Sequence, residues 1–213
     1  MSLEKRKAVL AVAKKYNVPI LEDNPYGELR FAGTDIPTIK SMDDEGIVIY
    51  CGSFSKILSA GMRVGFLCGH KDLIQKIVVV KQTNDVHTNL FFQMLCSRFI
   101  SEYGLDDHIA GIKKLYRDNC MTMLSEMDAK FPENVKYTRP EGGLFLWVTM
   151  PDSVDMNEFI KKTVAAEVAV VPGATFLPDT GMVSHSFRMN YSMPTKDQII
   201  KGVGILADVM KNM

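Results

Sequence analysis

Apolar residues recur at helical spacing over residues 3–16, with Leu3, Val9, Leu10, Ala13 and Tyr16 on one face. Ser2 stands where an N-cap belongs, and Asn17 and Pro19 end the run. A short apolar run at 18–21 predicts a strand. Residues 30–46, with Gly33, Pro37 and the acidic Asp43-Asp44-Glu45, read as a loop with a helical turn. The β-branched run Ile47-Val48-Ile49 predicts a strand buried on both faces, and residues 64–68 its neighbour. Leu73, Ile74, Ile77 and Val78 predict a helix over 71–82, and residues 89–103 another that breaks at Gly104. A third helix starts from a cap at Asp106 or Asp107 and runs to about Lys130, with Ile109, Ile112, Leu115, Tyr116, Leu124 and Met127 as its stripe. A helix this long can bridge two domains, so the boundary is expected near Gly104.

Beyond that helix the pattern becomes α+β. Residues 135–138 and 144–150 read as strands on either side of the Gly142-Gly143 turn, a meander on one face of a small sheet. Residues 155–167 are helical, and 168–171 and 186–192 are strand-like. Thr195-Lys196-Asp197-Gln198 has the capping-box pattern and opens the last helix.

The 213 residues suffice for one sizeable core or two small ones, and 46% hydrophobic with 23% charged residues is an ordinary globular balance. Net charge is zero and lysine and arginine form no dense run, which argues against direct nucleic-acid binding by this segment. No apolar stretch reaches the length of a membrane span and the N-terminus lacks a signal core, so a cytoplasmic location and no membrane partner are expected. Cys51, Cys68, Cys96 and Cys120 form no Cys-x-x-Cys pair and are expected as reduced, semi-buried packing residues. His70, His87, His108 and His185 lack ligand spacing, so no metal is expected. The 14 methionines are expected to fill the core.

Candidate chemistry concentrates where the 47–49 strand stops, at Tyr50-Cys51-Gly52-Ser53-Phe54-Ser55-Lys56, followed by Arg63. Open α/β sheets keep their ligands at the carboxyl ends of their strands. Two hydroxyls and a guanidinium there can grip a phosphate and leave the lysine free to react. A lysine among apolar and cationic neighbours loses part of its proton affinity and suits Schiff-base chemistry. Ser-x-Ser-Lys alone also occurs in plain surface turns. The run Leu21-Glu22-Asp23-Asn24-Pro25-Tyr26-Gly27 adds a carboxylate and a phenol at the same sheet edge. A pyridine cofactor with a phosphate tail and a phenolic oxygen needs this set: Asp23 for the ring nitrogen, Tyr26 for the ring oxygen, Lys56 for the aldehyde, and Arg63, Ser53 and Ser55 for the phosphate. Arg188, isolated among Phe187, Met189 and Tyr191, needs an anion, either a structural carboxylate or a substrate's. Trp147, Gly142-Gly143 and Pro172-Gly173 are explained equally by a substrate-side lining and by turns and packing.

With Ser186-Phe187-Arg188-Met189-Asn190-Tyr191 included, these motifs resemble the C-terminal half of a class I/II aminotransferase of pyridoxal phosphate fold type I. Glu22-Asp23-Asn24-Pro25-Tyr26, Pro140-Glu141-Gly142-Gly143-Leu144-Phe145-Leu146-Trp147 and Val170-Val171-Pro172-Gly173 are most similar to the branch of 2-aminoadipate and aromatic aminotransferases and MocR-type regulators. The resemblance implies an α/β fold, with residues 1–104 as the C-terminal part of a large, mainly parallel cofactor-binding domain and 105–213 as a small α+β domain. It also implies pyridoxal 5'-phosphate, transfer of an amino group from an amino acid to a 2-oxo acid, Arg188 on the α-carboxylate, and a homodimer for the complete protein. The alternative is the effector domain of a MocR-type regulator. In the family, much of the large domain precedes the helix at residue 3, including the rest of the phosphate cup and an aromatic stacked on the ring. The chain alone is therefore expected to bind the cofactor poorly, to transaminate slowly or not at all, and to self-associate through unpaired sheet edges.

Overall fold

The computed structural model describes residues 1–179 and 181–213. It divides into two units, Met1–Ala110 and Gly111–Met213. The first opens with α1 (Leu3–Tyr16), capped by the Ser2 hydroxyl, which accepts from the Lys5 N–H. Leu10 and Ala13 are buried, whereas Val9 and Tyr16 of the expected apolar face are exposed. β1 (Ile20–Asp23), β2 (Val48–Ser53) and β3 (Gly65–Cys68) form a sheet in that order. β1 and β2 are parallel, with Ile20 opposite Val48 and Asp23 opposite Cys51. β2 and β3 are antiparallel, with Tyr50 opposite Cys68 and Ser53 opposite Gly65. β1 thus lies two residues later than its apolar run indicates, which makes Asp23 its last residue.

The connection from β1 to β2 is irregular, with short 3-10 turns at Gly27–Leu29 and Lys40–Met42. Two carboxylates organise it by taking backbone N–H groups that no ladder uses. Glu22 accepts from Ile39 (2.9 Å) and Lys40 (2.8 Å). Asp43 accepts from Glu45, Gly46, Ile47 and Val48 and pairs with Lys40 at 3.0 Å. Leu10, Ile39 and Val48 form the small core beneath this segment. Val48 alone of β2 is fully shielded; the rest of the strand is half-buried, less than the two-sided burial its composition suggests. An apolar run states that a strand tolerates burial on both faces, and the packing decides whether it receives it. Gly52 has a local reason: a Cβ there would come within 2.2 Å of the Phe66 ring, which lies over β2 between Tyr50 and Phe54. α2 (Lys71–Asn84) and α3 (Leu90–Glu102) follow, the latter capped by Asn89, whose side chain accepts from the Phe92 N–H.

α4 (Leu105–Lys130) begins just after Gly104, so Asp106 and Asp107 occupy its first turn, where their charge complements the helix dipole, rather than the cap. Of its expected stripe, Ile109, Leu124 and Met127 are buried and Leu115 is exposed. The second unit contains β4 (Lys136–Tyr137), β5 (Phe145–Thr149), α5 (Met156–Ala165), β6 (Val171–Pro172), β7 (Ser186–Asn190) and α6 (Lys196–Lys211). The sheet order is β4-β5-β7-β6, so β7 sits between β5 and β6 and the expected meander does not extend past the β4/β5 hairpin. Pro172 lacks an N–H and belongs on an edge, while the alternating β7 can pair on both sides. Leu146, Val148, Phe187 and Met189 are buried on one face of this sheet, and Phe159 of α5 packs on Phe187 with ring centroids 5.2 Å apart. The other face of β5 and β7 carries Phe145, Trp147 and Arg188. The buried Asn119 amide donates to the carbonyls of Tyr191 (2.9 Å) and Pro194 (3.2 Å). All four cysteines are free; Cys96 and Cys120 are buried, but Cys68 is exposed, unlike the semi-buried expectation. The methionines divide similarly: Met62, Met123, Met127 and Met150 are buried, whereas Met94, Met121 and Met193 are exposed.

Candidate active site

In the first unit the parallel register brings the carboxyl ends of β1 and β2 to one edge of the sheet, with Asp23 and Ser53 as their final residues. The Asn24 N–H donates to the Cys51 carbonyl at 3.0 Å and so extends the pairing one residue beyond Asp23. Asp23 is close enough to Cys51 to be felt electrostatically: burial raises the Cys51 thiol pKa, and the Asp23 charge raises it further. Tyr26 follows in the turn after β1. The Lys56 ammonium lies over its ring, 6.0 Å from the centroid. Lys56 is half-buried and, among the described residues, forms no ion pair.

Ser53 and Ser55 form a compact hydroxyl turn in which the Ser55 N–H donates to the Ser53 Oγ at 3.1 Å. Residues 54–64 close as a loop on the β2/β3 end, because the Phe54 N–H donates to the Val64 carbonyl at 3.1 Å. Arg63 returns on that loop next to the Ser53–Gly65 pair. It holds a left-handed backbone (φ 54°), an uncommon conformation for a large side chain, and its guanidinium donates to the Ala60 carbonyl at 3.2 Å. Asp23, Tyr26, Ser53, Ser55, Lys56 and Arg63 therefore belong to the strand ends and turns at one edge of one sheet.

Two contributors at this edge were not singled out from the sequence. His108 Nε2 lies 2.8 Å from the carbonyl of Ile57, the buried neighbour of Lys56, and its ring packs edge-on against Phe99. A ring nitrogen facing a carbonyl carries the hydrogen, so His108 pins the lysine loop to the start of α4. Asn24 Nδ2 donates to the Tyr50 hydroxyl at 3.1 Å. Both contacts join residues distant in sequence, and no local pattern marks them.

Arg188 belongs to the second unit. Its guanidinium carbon lies 4.0 Å from the Phe145 ring centroid and 4.8 Å from that of Phe176, and it forms no ion pair among the described residues. Of the two anions the sequence allows, the structural carboxylate is therefore not found among them. Trp147, opposite Arg188 across the β5–β7 pair, meets Phe176 edge-on at 5.5 Å. Tyr191 is a core residue whose hydroxyl donates to the Gly142 carbonyl at 3.1 Å.

Residues 1–204 match the family model "Aminotransferase class I and II". An aromatic-amino-acid aminotransferase 1 of Thermococcus litoralis is 38% identical over 99% of this chain and 50% of its own length. The crystal structure of Pyrococcus horikoshii kynurenine aminotransferase, in complex with PMP, superposes with a TM-score of 0.94 at 39% identity, covering 100% of this chain and 52% of that one. An HTH-type transcriptional regulator, YisV of Bacillus subtilis, is 25% identical over 100% of this chain and 43% of its own length. The chain spans about half the length of the curated relatives it matches.

Proposed function

Because the chain belongs to the class I and II aminotransferases, we propose that it supplies the lysine-bearing part of the active site of a pyridoxal phosphate-dependent transaminase. In this reading residues 1–104 are the C-terminal part of the large domain and 105–213 the small domain. The observation that carries it is the convergence of an acid, a phenol, two hydroxyls, an amine and a guanidinium at one strand edge. The donor set fits pyridoxal phosphate group by group. When bound, the cofactor supplies an aldehyde that takes up the amino group and a ring that withdraws electrons from the substrate's α-carbon.

Asp23 holds a proton at the ring nitrogen, and Tyr26 donates to the ring oxygen. Ser53, Ser55 and Arg63 bind the phosphate, the arginine through its fork of N–H donors. Lys56 anchors the aldehyde carbon and moves the proton at the α-carbon of the amino acid. Arg188 binds the α-carboxylate of the amino acid or 2-oxo acid. The complete protein acts as a cytoplasmic homodimer, and the 213-residue chain alone transaminates slowly or not at all. No helix among the described residues is long and apolar enough to cross a membrane. A second reading, the effector-binding domain of a MocR-type regulator, draws on the regulator match, but its 25% identity against 38% for the aminotransferase favours the enzyme.

Visible absorption of the chain titrated with pyridoxal phosphate, for wild type and Lys56→Ala, tests the assignment. Because the chain alone is expected to bind weakly, the wild type is expected to develop a long-wavelength band only at high cofactor concentration, and the variant to lack it. An unchanged band in the variant would remove Lys56 from its role, and full transaminase activity of this chain would refute its dependence on a longer protein.

A further inference from the structure

We propose that Phe176 is a positioning residue for carboxylate binding at Arg188, stacking on the guanidinium so that its in-plane N–H donors face the ligand. The proposal rests on the reading of Arg188 as the carboxylate anchor. A guanidinium placed over aromatic faces uses its π-surface and keeps its fork of donors available for two parallel bonds to a carboxylate. Both rings lie within 5 Å of the Arg188 guanidinium carbon, at 4.0 Å for Phe145 and 4.8 Å for Phe176. No carboxylate among the described residues pairs with Arg188, so its donors are not committed to a structural acid.

The two rings reach Arg188 by different routes. Phe145 is fixed by the β5 ladder, opposite Asn190 of β7. Phe176 ends the short 3-10 turn Gly173–Phe176 and is 47% exposed, so burial alone gives it little reason to hold its place. Two features hold it there. Trp147 meets its ring edge-on at 5.5 Å with 69° between the planes. Gly173 lets the turn lie directly against the start of β7, since a Cβ there would come within 2.4 Å of Ser184 Oγ and 2.6 Å of the Ser186 carbonyl. The pairs Val171–Arg188 and Pro172–Phe187 fix the register from which the turn departs. A turn held this closely to deliver a half-exposed ring onto an arginine suits control of that arginine's orientation.

Trp147 is the sole tryptophan, so fluorescence excited selectively at tryptophan, away from the tyrosines, reports on this cluster alone. The chain is titrated with pyruvate and, as an uncharged control, with pyruvamide. A saturable change is expected with pyruvate only, and none in Arg188→Ala. Phe176→Leu and Gly173→Ala are expected to raise the pyruvate midpoint about three- to tenfold, and Phe176→Tyr to restore it, as loss and recovery of one stacking contact. Thermal unfolding of the exposed-site variants Phe176→Leu and Phe176→Tyr should match wild type, and these two decide the matter should Gly173→Ala fail to fold. A wild-type pyruvate midpoint in Phe176→Leu overturns the positioning role while leaving Arg188 as anchor. Identical behaviour of wild type and Arg188→Ala overturns the carboxylate reading and the proposal with it.

Discussion

The carboxylate of Asp43 is fully shielded and is met by four consecutive backbone N–H groups, from Glu45 to Val48, at 2.9 to 3.2 Å. Burial alone would raise its pKa; the Val48 N–H, the Lys40 ammonium and the Ile47 N–H outweigh that and bring it down to about 2. A carboxyl whose folded pKa lies below its unfolded value stabilises the fold above the unfolded value and loses that contribution as pH falls toward the folded one. Asp43→Asn is therefore expected to cost about 2 kcal/mol near neutral pH, with the gap to wild type closing between about pH 4 and pH 2. Urea unfolding of both proteins across that range checks it; a constant gap would mean that packing, not charge, is at stake. From the sequence Asp43 is one acid in a loop, because which N–H groups a turn aims inward depends on dihedral angles that composition does not specify. That Asp23 and Lys56 fall at and just beyond the ends of β1 and β2 was legible, because an apolar run that stops marks a strand end. The place of Phe176 was not, since it ends a 3-10 turn while its partner Arg188 lies on β7.

Among the elements, helix starts read most clearly, because a cap is a local contact between residues two or three apart. Ser2, Asn89 and Asp155 each accept backbone N–H groups at the start of a helix. Thr195 and Gln198 bond reciprocally, as their spacing predicts: the Gln198 N–H donates to Thr195 Oγ1 at 3.3 Å and the Thr195 N–H to Gln198 Oε1 at 2.9 Å. Thr195→Ala should cost about 1 kcal/mol and Thr195→Ser nearly nothing, measured by denaturant midpoint. Equal losses in both variants would show that the hydroxyl is not the operative group. Strand order was less legible. Of the run at 168–171 only Val171 joins a strand, the edge strand β6, and the central place falls to β7. Periodicity states which face of a strand is apolar but leaves open which neighbour it takes, and that choice is made by loops and by competition for a paired position.

At the scale of the whole chain, membership of the class I and II aminotransferases rests on a match across residues 1–204, and the solved relative superposes on all of it while extending to about twice its length. The first unit shows large apolar side chains at its surface: Leu21 on β1, Phe66 and Leu67 on β3, Val78, Val79 and Val80 on α2, and Phe91 on α3. Surface of this kind favours contact with further protein. The proposed role of the chain in catalysis then reduces to whether the amine beyond the β2 end is the group that meets the cofactor's aldehyde. The most direct measurement adds pyridoxal phosphate to the chain, reduces with borohydride, and maps the phosphopyridoxyl group by peptide mass spectrometry across all lysines. Even though the chain alone is expected to bind the cofactor weakly, the group is expected on Lys56 in excess over every other lysine at each cofactor concentration. Labelling spread evenly over exposed lysines, with Lys56 unmodified, would contradict the assignment of this edge as the active site.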